Sequence, residues 1–325
     1  MSNSPTPIKG GTASSTAIWT ALIAIYIVWG STYLAILFVV ETMPPFLAAS
    51  FRFLIAGAVL YVFMRLRGEK APLRIEWRSA AIVGLFLLVG GNGMVMWAEQ
   101  RVASGIAALM IASVPLWIAL LDSVRPGGRR PNGWIIVGIL AGFGGILVLI
   151  GPTQLLGIEG EVDLIGIIVL LLAAFSWALG SLYNRGAKLP DSALLGTGMQ
   201  MLIGSLGLLL LGTVTGEWGQ LDLSAVSTRS WLGFAYLVVF GSWVGFASYI
   251  WLLRHAPTML VATYAYVNPM VAILLGSLLA GEELTTRILL AALFILGSVV
   301  VITLKQPRSA KSHAAENSSP IAGND

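Results

Sequence analysis

The residues of this chain that could do chemistry lie mostly inside long apolar runs. Arg52 is the one lysine or arginine in the interior of such a run, where a buried arginine costs about 2.5–3.5 kcal/mol on insertion scales. Its planar guanidinium could hold the carboxylate of a small ligand. Polar and aromatic side chains within the runs could complete a substrate-binding pocket. They are Trp29, Ser31, Tyr33, Asn92, Trp177, Gln200, Trp243, Tyr264 and Asn268.

Two of these candidates also have a purely structural interpretation. Arg52 could extend to the lipid headgroups or pair with Glu41 or Glu99 near the end of its run. Asn92 stands in the sequence GGNG at residues 90–93, where each glycine weakens a helix by roughly 1 kcal/mol. Its amide, or freed backbone groups, could therefore face a ligand. Close helix packing, with Asn92 bonded to a neighbour, accounts for the same pattern.

The composition predicts a membrane environment for these residues. The chain of 325 residues is 57% hydrophobic and 10% charged, whereas charged residues make up about a quarter of a soluble globular domain. So much apolar surface cannot all be hidden from water. The formal net charge is +4, but the positive residues lie in short segments between apolar runs. That placement indicates membrane topology and no nucleic-acid partner.

Ten apolar runs approach the length of about 17–25 residues that crosses a bilayer. They cover residues 18–40, 45–64, 78–97, 104–121, 133–150, 163–184, 193–211, 230–252, 259–280 and 288–304. We predict an all-α integral membrane protein with ten transmembrane helices. Fifteen Lys and Arg residues fall on one side of these runs and three on the other. The positive-inside rule then places both termini in the cytoplasm, with residues 1–17 a disordered leader and 305–325 a disordered tail.

The two halves of the chain contain the same residue types at matching positions. Trp77, Gly91, Trp97 and Pro115 recur 154 residues later as Trp231, Gly245, Trp251 and Pro269. Five runs lie in each half, so the second copy, residues 151–304, must enter the bilayer inverted relative to the first, residues 18–150. Inverted repeats of this kind build secondary transporters, with the substrate site near the midplane where the repeats meet.

Prolines and glycines within the runs indicate where helices could bend or touch. Pro115 and Pro269 lie inside the fourth and ninth runs, where proline removes a helix hydrogen bond and bends the helix. We predict that they are paired hinges for alternating access. A G-x-x-x-G pattern at Gly138 and Gly142 allows close helix contact, within the chain or in a homodimer.

Other chemistries find little support. There are no cysteines and two histidines, and no H-E-x-x-H, G-x-S-x-G or ATP-binding G-x-x-x-x-G-K-[ST] pattern occurs. We predict no enzyme activity, no cofactor and no metal site. No Asp or Glu falls in the middle of a run, so a facilitated exporter explains the sequence at least as well as a proton antiporter. Glu41, Glu99 and Asp163 are weak proton-carrier candidates.

Several short motifs resemble those of a known family. They are WGSTY at 29–33, FRFLIAG at 51–57, WAEQ at 97–100, VPLW at 114–117 and GEELT at 281–285. Over residues 18–304 the chain is similar to the EamA-type ten-span exporters of the drug/metabolite transporter superfamily. The resemblance implies a 5+5 helical fold and export of small polar metabolites, such as amino acids, across a bacterial inner membrane. Efflux of drugs, nucleosides or other metabolites, with proton coupling, stays open, as does a receptor or scaffold without transport.

Overall fold

The computed structural model describes residues 14–125, 131–151, 163–256 and 258–305, and in these ranges all regular structure is helical. We number ten helices in chain order. They are α1 (Ser15–Val40), α2 (Pro45–Leu66), α3 (Arg74–Ala98), α4 (Ser104–Val124), α5 (Gly133–Ile150), α6 (Leu164–Asn184), α7 (Ala193–Val214), α8 (Thr228–Leu253), α9 (Tyr264–Ala280) and α10 (Thr286–Lys305). Short helices Glu217–Gly219 and Thr258–Val261 lie between them.

The helices match the predicted apolar runs closely. Their ends agree with the predictions to within four residues, except that α9 begins five residues later than expected. In the described part of the chain, nine helices are long and apolar enough to cross a membrane, and α9 is shorter at 17 residues. Apolar length therefore fixes most of the helix positions, because a bilayer-spanning segment must satisfy its backbone groups internally.

Polar side chains determine where several helices begin. Ser14 accepts a hydrogen bond from the Ala17 amide, and Asn132, Asp163, Ser192 and Ser227 do the same for α5, α6, α7 and α8. Such caps satisfy amides that have no partner within the helix. The cap at Ser14 starts α1 within the predicted leader, so residues 15–17 are helical; the rest of that leader, and the tail after Lys305, lie outside the described residues.

Two helices contain a wide π-helical segment, at Leu85–Gly93 in α3 and Leu237–Val244 in α8. In each segment a polar side chain donates to the carbonyl five residues earlier. Asn92 Nδ2 lies 3.4 Å from the Leu87 oxygen, and Ser242 Oγ lies 3.1 Å from the Leu237 oxygen. The wider turn frees carbonyls from the usual ladder, and π segments occur frequently at functional sites.

Breaks in α4 and before α9 precede the two prolines predicted as hinges. Helix α4 is interrupted between Ile111 and Val114, and Pro115 stands in the first turn of its second piece, so it does not bend a continuous helix. Proline is tolerated there because its missing amide would have no partner in the first turn. Pro269 does lie inside α9, whose start at Tyr264 follows a second break.

A hydroxyl side chain marks each break. Ser113 Oγ donates to the Met110 oxygen and Thr263 Oγ1 to the Leu260 oxygen, each at 2.6 Å. The two breaks thus share a serine or threonine that bonds three residues back, a pattern that competes with the helix ladder.

The most extensive packing joins α2 to α7, α5 to α10, α1 to α8 and α3 to α6, and α1 also packs against α9. The predicted contact glycines lie between α5 and α10. A Cβ on Gly138 would lie 2.8 Å from Ile302, and one on Gly142 would lie 2.6 Å from Ser298 Oγ. Both glycines are thus covered inside the chain, which leaves them unavailable to a second copy.

Candidate functional site

Arg52 lies buried between α2 and α8, with 4% of its surface exposed. Its Nε donates to Ser242 Oγ at 3.3 Å, and its guanidinium carbon stands 4.7 Å from the centre of the Phe53 ring. Its Nη1 atom is buried and has no hydrogen-bond partner. The predicted alternative of pairing with Glu41 does not occur, since Glu41 bonds Arg229 at 3.2 Å. A cation held in this way is able to receive an anionic group.

The π segment of α8 forms the wall opposite Arg52. A Cβ on Gly241 would lie 3.0 Å from Arg52 Nη2 and 3.1 Å from Thr32, so only a glycine fits without displacing them. The Gly241 carbonyl accepts a hydrogen bond from Trp29 Nε1 at 3.3 Å. Gly241 therefore brings the indole of α1 and the guanidinium of α2 to one place.

Trp29 is also the centre of an aromatic cluster formed by α1, α8 and α9. Its ring centre lies 5.5 Å from Phe246, 5.3 Å from Tyr249 and 5.2 Å from Tyr264. Tyr249 and Tyr264 stand edge-on to each other at 5.8 Å. Ring arrangements of this kind stabilise a pocket wall while presenting π faces and hydroxyl groups. We call Trp29, Phe246, Tyr249 and Tyr264 the aromatic cluster.

Asn268 lies on α9, one helical turn from Tyr264 and on the same face. It is buried, with 7% of its surface exposed, and its Oδ1 has no hydrogen-bond partner. Its backbone oxygen would stand 3.1 Å from a Cβ on Gly30, the neighbour of Trp29. Two of the helices that pack around α1 thus carry an unpartnered buried group, an acceptor on α9 and a donor on α2.

Of the other predicted site residues, most complete contacts between helices. Ser31 Oγ lies 2.7 Å from Tyr236 Oη and also bonds the Ile27 oxygen in its own helix. Trp243 Nε1 donates to the Ala56 oxygen at 3.2 Å, which joins α8 to α2 one turn from Arg52. Tyr33 is partly buried and within electrostatic range of Tyr264 and Glu99.

The remaining three lie on the α3 side of the molecule. Trp177 fills the space in front of Gly91, at 2.7 Å from a Cβ placed there, and Asn92 bonds within its own helix. The backbone carbonyl oxygen of Gln200 would lie 2.5 Å from a Cβ placed on Gly84. The structure does not bring these three residues into contact with Arg52 or the aromatic cluster.

Four connections meet at one end of the bundle, residues 41–44, 99–103, 215–227 and 281–285, which we call the acidic end. There the Glu282 carboxylate accepts from the Ser104 and Gly105 amides at 2.6 and 3.0 Å and caps α4. The Glu217 carboxylate accepts from the Phe46 and Leu47 amides at 3.2 and 2.8 Å and caps α2. Burial raises the pKa of Glu217, against the opposing effect of those amides.

The three acids predicted as weak proton carriers, all at this end, differ sharply in burial. Glu41 and Asp163 are partly exposed and ion-paired, Asp163 with Arg101 at 3.1 Å. Glu99 is 2% exposed, and neither carboxyl oxygen has a hydrogen-bond partner. Sequence reasoning placed all three at span ends and could not separate them.

Sequence reasoning missed Ser242, Gly241, Phe246, Glu217 and Glu282 as parts of this arrangement. Ser242 corresponds to Asn92 through the two π segments, but the repeat offset of 154 pairs Asn92 with residue 246 instead. The motif GEELT contained Glu282 without indicating which amides it would cap. For Glu217 the sequence carries no signal, because its partners lie about 170 residues away.

The fold and the candidate site define a class: a polytopic helical membrane protein with buried polar and aromatic groups where helices of its two halves meet. The EamA-like transporter family model matches the chain twice, over residues 15–151 and 164–304. The chain therefore belongs to the EamA-like transporter family.

Individual relatives agree with this assignment. The chain is 40% identical over 289 residues to an Escherichia coli K12 protein described as the uncharacterized inner membrane transporter YedA, with 88% of this chain and 90% of that protein covered. It is 27% identical to a chloroplastic WAT1-related protein of Arabidopsis thaliana, over 89% of this chain and 70% of the relative. A crystal structure with 22% identity superposes with a TM-score of 0.60, over 89% of this chain and 98% of the other, and supports the fold.

Proposed function

We propose that this chain is a secondary transporter of the inner membrane that exports small metabolites bearing a carboxylate, amino acids foremost. The observation that carries the substrate class is Arg52, a buried guanidinium with no acidic partner and a free Nη1. An unpaired buried charge is costly, and an anion that arrives to pair with it recovers that cost. A substrate carboxylate supplies such an anion.

The groups around Trp29 suit the rest of an amino acid. Asn268 Oδ1 is a buried acceptor without a partner, and a substrate ammonium group is a donor without an acceptor. The aromatic cluster offers apolar faces to a side chain and π faces to a cation. The proposal thus assigns carboxylate binding to Arg52, ammonium binding to Asn268 and side-chain packing to Trp29 and Tyr264.

Alternating access is part of the same proposal. Two inverted repeats of five helices each would meet at this site, and the breaks at Ser113 in α4 and Thr263 before α9 would let the helix ends move separately. Support comes from the double match of the family model and from the paired π segments and breaks. Both termini would face the cytoplasm, and the direction of export follows the family resemblance.

The test is counterflow of radiolabelled amino acids in proteoliposomes. Wild-type protein should exchange particular amino acids, and Arg52→Gln should lower the rate about 10- to 100-fold, the value of one hydrogen bond to a charged group. Arg52→Lys should retain part of the rate, since lysine keeps the charge and loses the planar fork. Arg229→Gln is the matched control, because Arg229 pairs with Glu41 at the surface, and it should exchange like the wild type.

Two outcomes would count against the proposal. Equal loss of counterflow in Arg52→Gln and Arg229→Gln would remove Arg52 from the substrate site. Counterflow of nucleosides or drugs, without counterflow of any amino acid, would overturn the proposed substrate class and leave the assignment as a transporter in place.

A further inference from the structure

Glu99 directly follows the last residue of α3 and is enclosed by protein. Its surface is 2% exposed, and both carboxyl oxygens are buried without a hydrogen-bond partner. A carboxylate in such surroundings would have no side-chain hydrogen-bond donor and no paired cation to stabilise its charge. The neutral acid is the form that these surroundings favour.

The groups that face Glu99 strengthen this preference. Tyr33 on α1 and the Glu282 carboxylate in the connection after α9 lie within electrostatic range of it. Burial raises the pKa of Glu99 above its usual range, the charge of Glu282 adds to the effect, and the backbone of Leu37 on α1 opposes it more weakly.

The arginines of α2 and of the connection after α3 are directed elsewhere. On α2, Arg52 is bonded to Ser242, and Arg101 turns away to Asp163 and the Trp97 ring. Helix α6 has one titratable side chain, Tyr183, at its far end, and the first piece of α4 has none.

Four other acids at this end have hydrogen-bond or ion-pair partners. Glu282 and Glu217 each accept two backbone amides, and Glu41 and Asp163 each pair with an arginine. Glu99 differs from all four in having no such partner. Among these five acids, Glu99 is the one whose two carboxyl oxygens are both buried without a partner.

We propose that Glu99 is a proton-binding site that controls the acidic end of the transporter. In the closed form described here its carboxyl oxygen carries a proton. When the acidic end opens, water reaches the carboxyl, the O–H bond breaks, the proton leaves to water and the carboxylate remains. This inference rests on the proposed function for its role in transport, where proton binding would be coupled to the step that closes the acidic end.

The pH dependence follows in sign from this assignment. The closed form binds the proton more tightly than the open form, so a fall in pH favours closure and a rise in pH favours opening. One proton released per opening gives a change of up to about tenfold in the opening equilibrium per pH unit, over the range where the open form is ionised and the closed form is not.

The chain has no native cysteine, so one introduced thiol can report the opening. Ile106 is 8% exposed and lies in α4 next to the amides that Glu282 holds. The experiment measures the rate at which a thiol reagent labels Ile106→Cys in lipid nanodiscs between pH 6 and 9. Dividing by the rate of Gln100→Cys, an exposed position, removes the ionisation of the thiol itself. The assay uses no substrate, so its result does not depend on whether amino acids are transported.

In the wild-type background the labelling ratio should rise steeply with pH. Adding Glu99→Gln should hold the ratio low and flat, while adding Glu99→Asp should keep a rise because a carboxyl is still present. Asp163→Asn, which alters a surface acid of the same end, should leave the rise intact. A ratio independent of pH in the wild type, or a rise that survives Glu99→Gln, would overturn the assignment. If Glu99→Gln fails to fold, the wild-type and Glu99→Asp curves decide alone: a flat ratio in both overturns it, and a rise in both supports it.

Discussion

The contacts between the halves differ in chemistry at the two ends of the helix bundle. At the acidic end the contacts between the halves are polar, with carboxylates on backbone amides and the Thr42 hydroxyl on Ser230 Oγ at 2.7 Å. At the opposite end, where α1 begins and α8 ends, they are mainly apolar. Leu22, Ile25, Leu252 and Val261 form a fully buried cluster there, joined by a hydrogen bond between Tyr26 and Thr263.

This difference predicts unequal costs of opening. Water replaces most of a polar contact, so each hydrogen bond exchanged for water costs only about 0.5–1.5 kcal/mol. Apolar side chains gain nothing from water, and exposing one costs about 1.5–3 kcal/mol. The acidic end should therefore open in response to hydration and charge, whereas the opposite end should open only when other contacts compensate for the exposed cluster.

The strongest test of the comparison is Leu22→Ala at the apolar end. Leu22 has no exposed surface, and truncation of a buried leucine costs about 2–5 kcal/mol. We expect that loss in the free energy of unfolding, measured by thermal denaturation in nanodiscs. Ile23→Ala is the control, since Ile23 is half exposed on the next position of the same helix. A loss under about 1 kcal/mol would mean that the cluster does not hold this end closed.

A slightly smaller effect is expected from Glu282→Ala at the acidic end. The change removes two charge-assisted hydrogen bonds from the start of α4. Each contributes about 1.5–3 kcal/mol if the two amides are left without a partner, and less if water bonds to them instead. Labelling of Ile106→Cys should rise about tenfold or more. Glu283→Ala, at the exposed neighbouring position, should leave the rate unchanged, and the same rise in both variants would show a general loosening of the connection.

Tyr26→Phe tests the polar contact within the apolar end. It removes the hydroxyl that bonds Thr263 and keeps the ring, so about 0.5–1.5 kcal/mol of stability should be lost. Thermal denaturation would measure it, with Thr263→Val as the partner variant. The two losses should not add in the double variant, because both remove one bond; full additivity would mean that the bond contributes nothing.

The smallest effect belongs to Asp163→Asn, which breaks the surface pair with Arg101 but keeps a residue suited to cap α6. A few tenths of a kcal/mol should be lost at pH 7, as is usual for exposed pairs. The hydrogen bond from the Gly166 amide, and to a lesser extent Arg101, holds the pKa of Asp163 below its ordinary value of 3.8. The stability that Asp163 contributes to the fold is thus fully present above pH 3.8 and is lost as the pH falls through the lower pKa of the folded state. Unfolding curves at neutral and strongly acid pH should differ between variant and wild type only at neutral pH.

The sequence predicted the helices better than it predicted their irregularities. Apolar length decides where a helix can cross a bilayer, so the run at 133–150 agrees with α5 at both ends. The π segments and breaks depend on neighbours instead. Pro115 indicated an irregularity in α4, and the break falls two residues before it, at Ser113, where a hydroxyl also bonds back to Met110; the sequence did not predict this hydroxyl contact.

The candidate site was predictable in its residue types and less so in its connections. A lone arginine in an apolar run identified Arg52, because burial of an unpaired charge is unusual. Its actual partner, Ser242, lies 190 residues away, and nothing local to either residue indicates the pair. Glu99 was placed correctly along the chain, but only tertiary packing shows that its carboxyl is enclosed while that of Asp163 is not.

The π segment of α8 has a rotational consequence. Neighbouring residues of an α-helix are rotated by about 100° around the helix axis. A shift of the hydrogen bonds of Leu237–Val244 by one residue would therefore rotate the part of α8 that follows by about that angle. Phe246 and Tyr249 lie after the segment and would swing away from Trp29, while Trp231, before it, would stay in place. Thiol labelling of Phe246→Cys would follow the turn, and a rate that never changes with substrate would exclude it. This rotation would separate Phe246 and Tyr249 from Trp29 through a change in hydrogen-bond register alone, without a tilt of the helix.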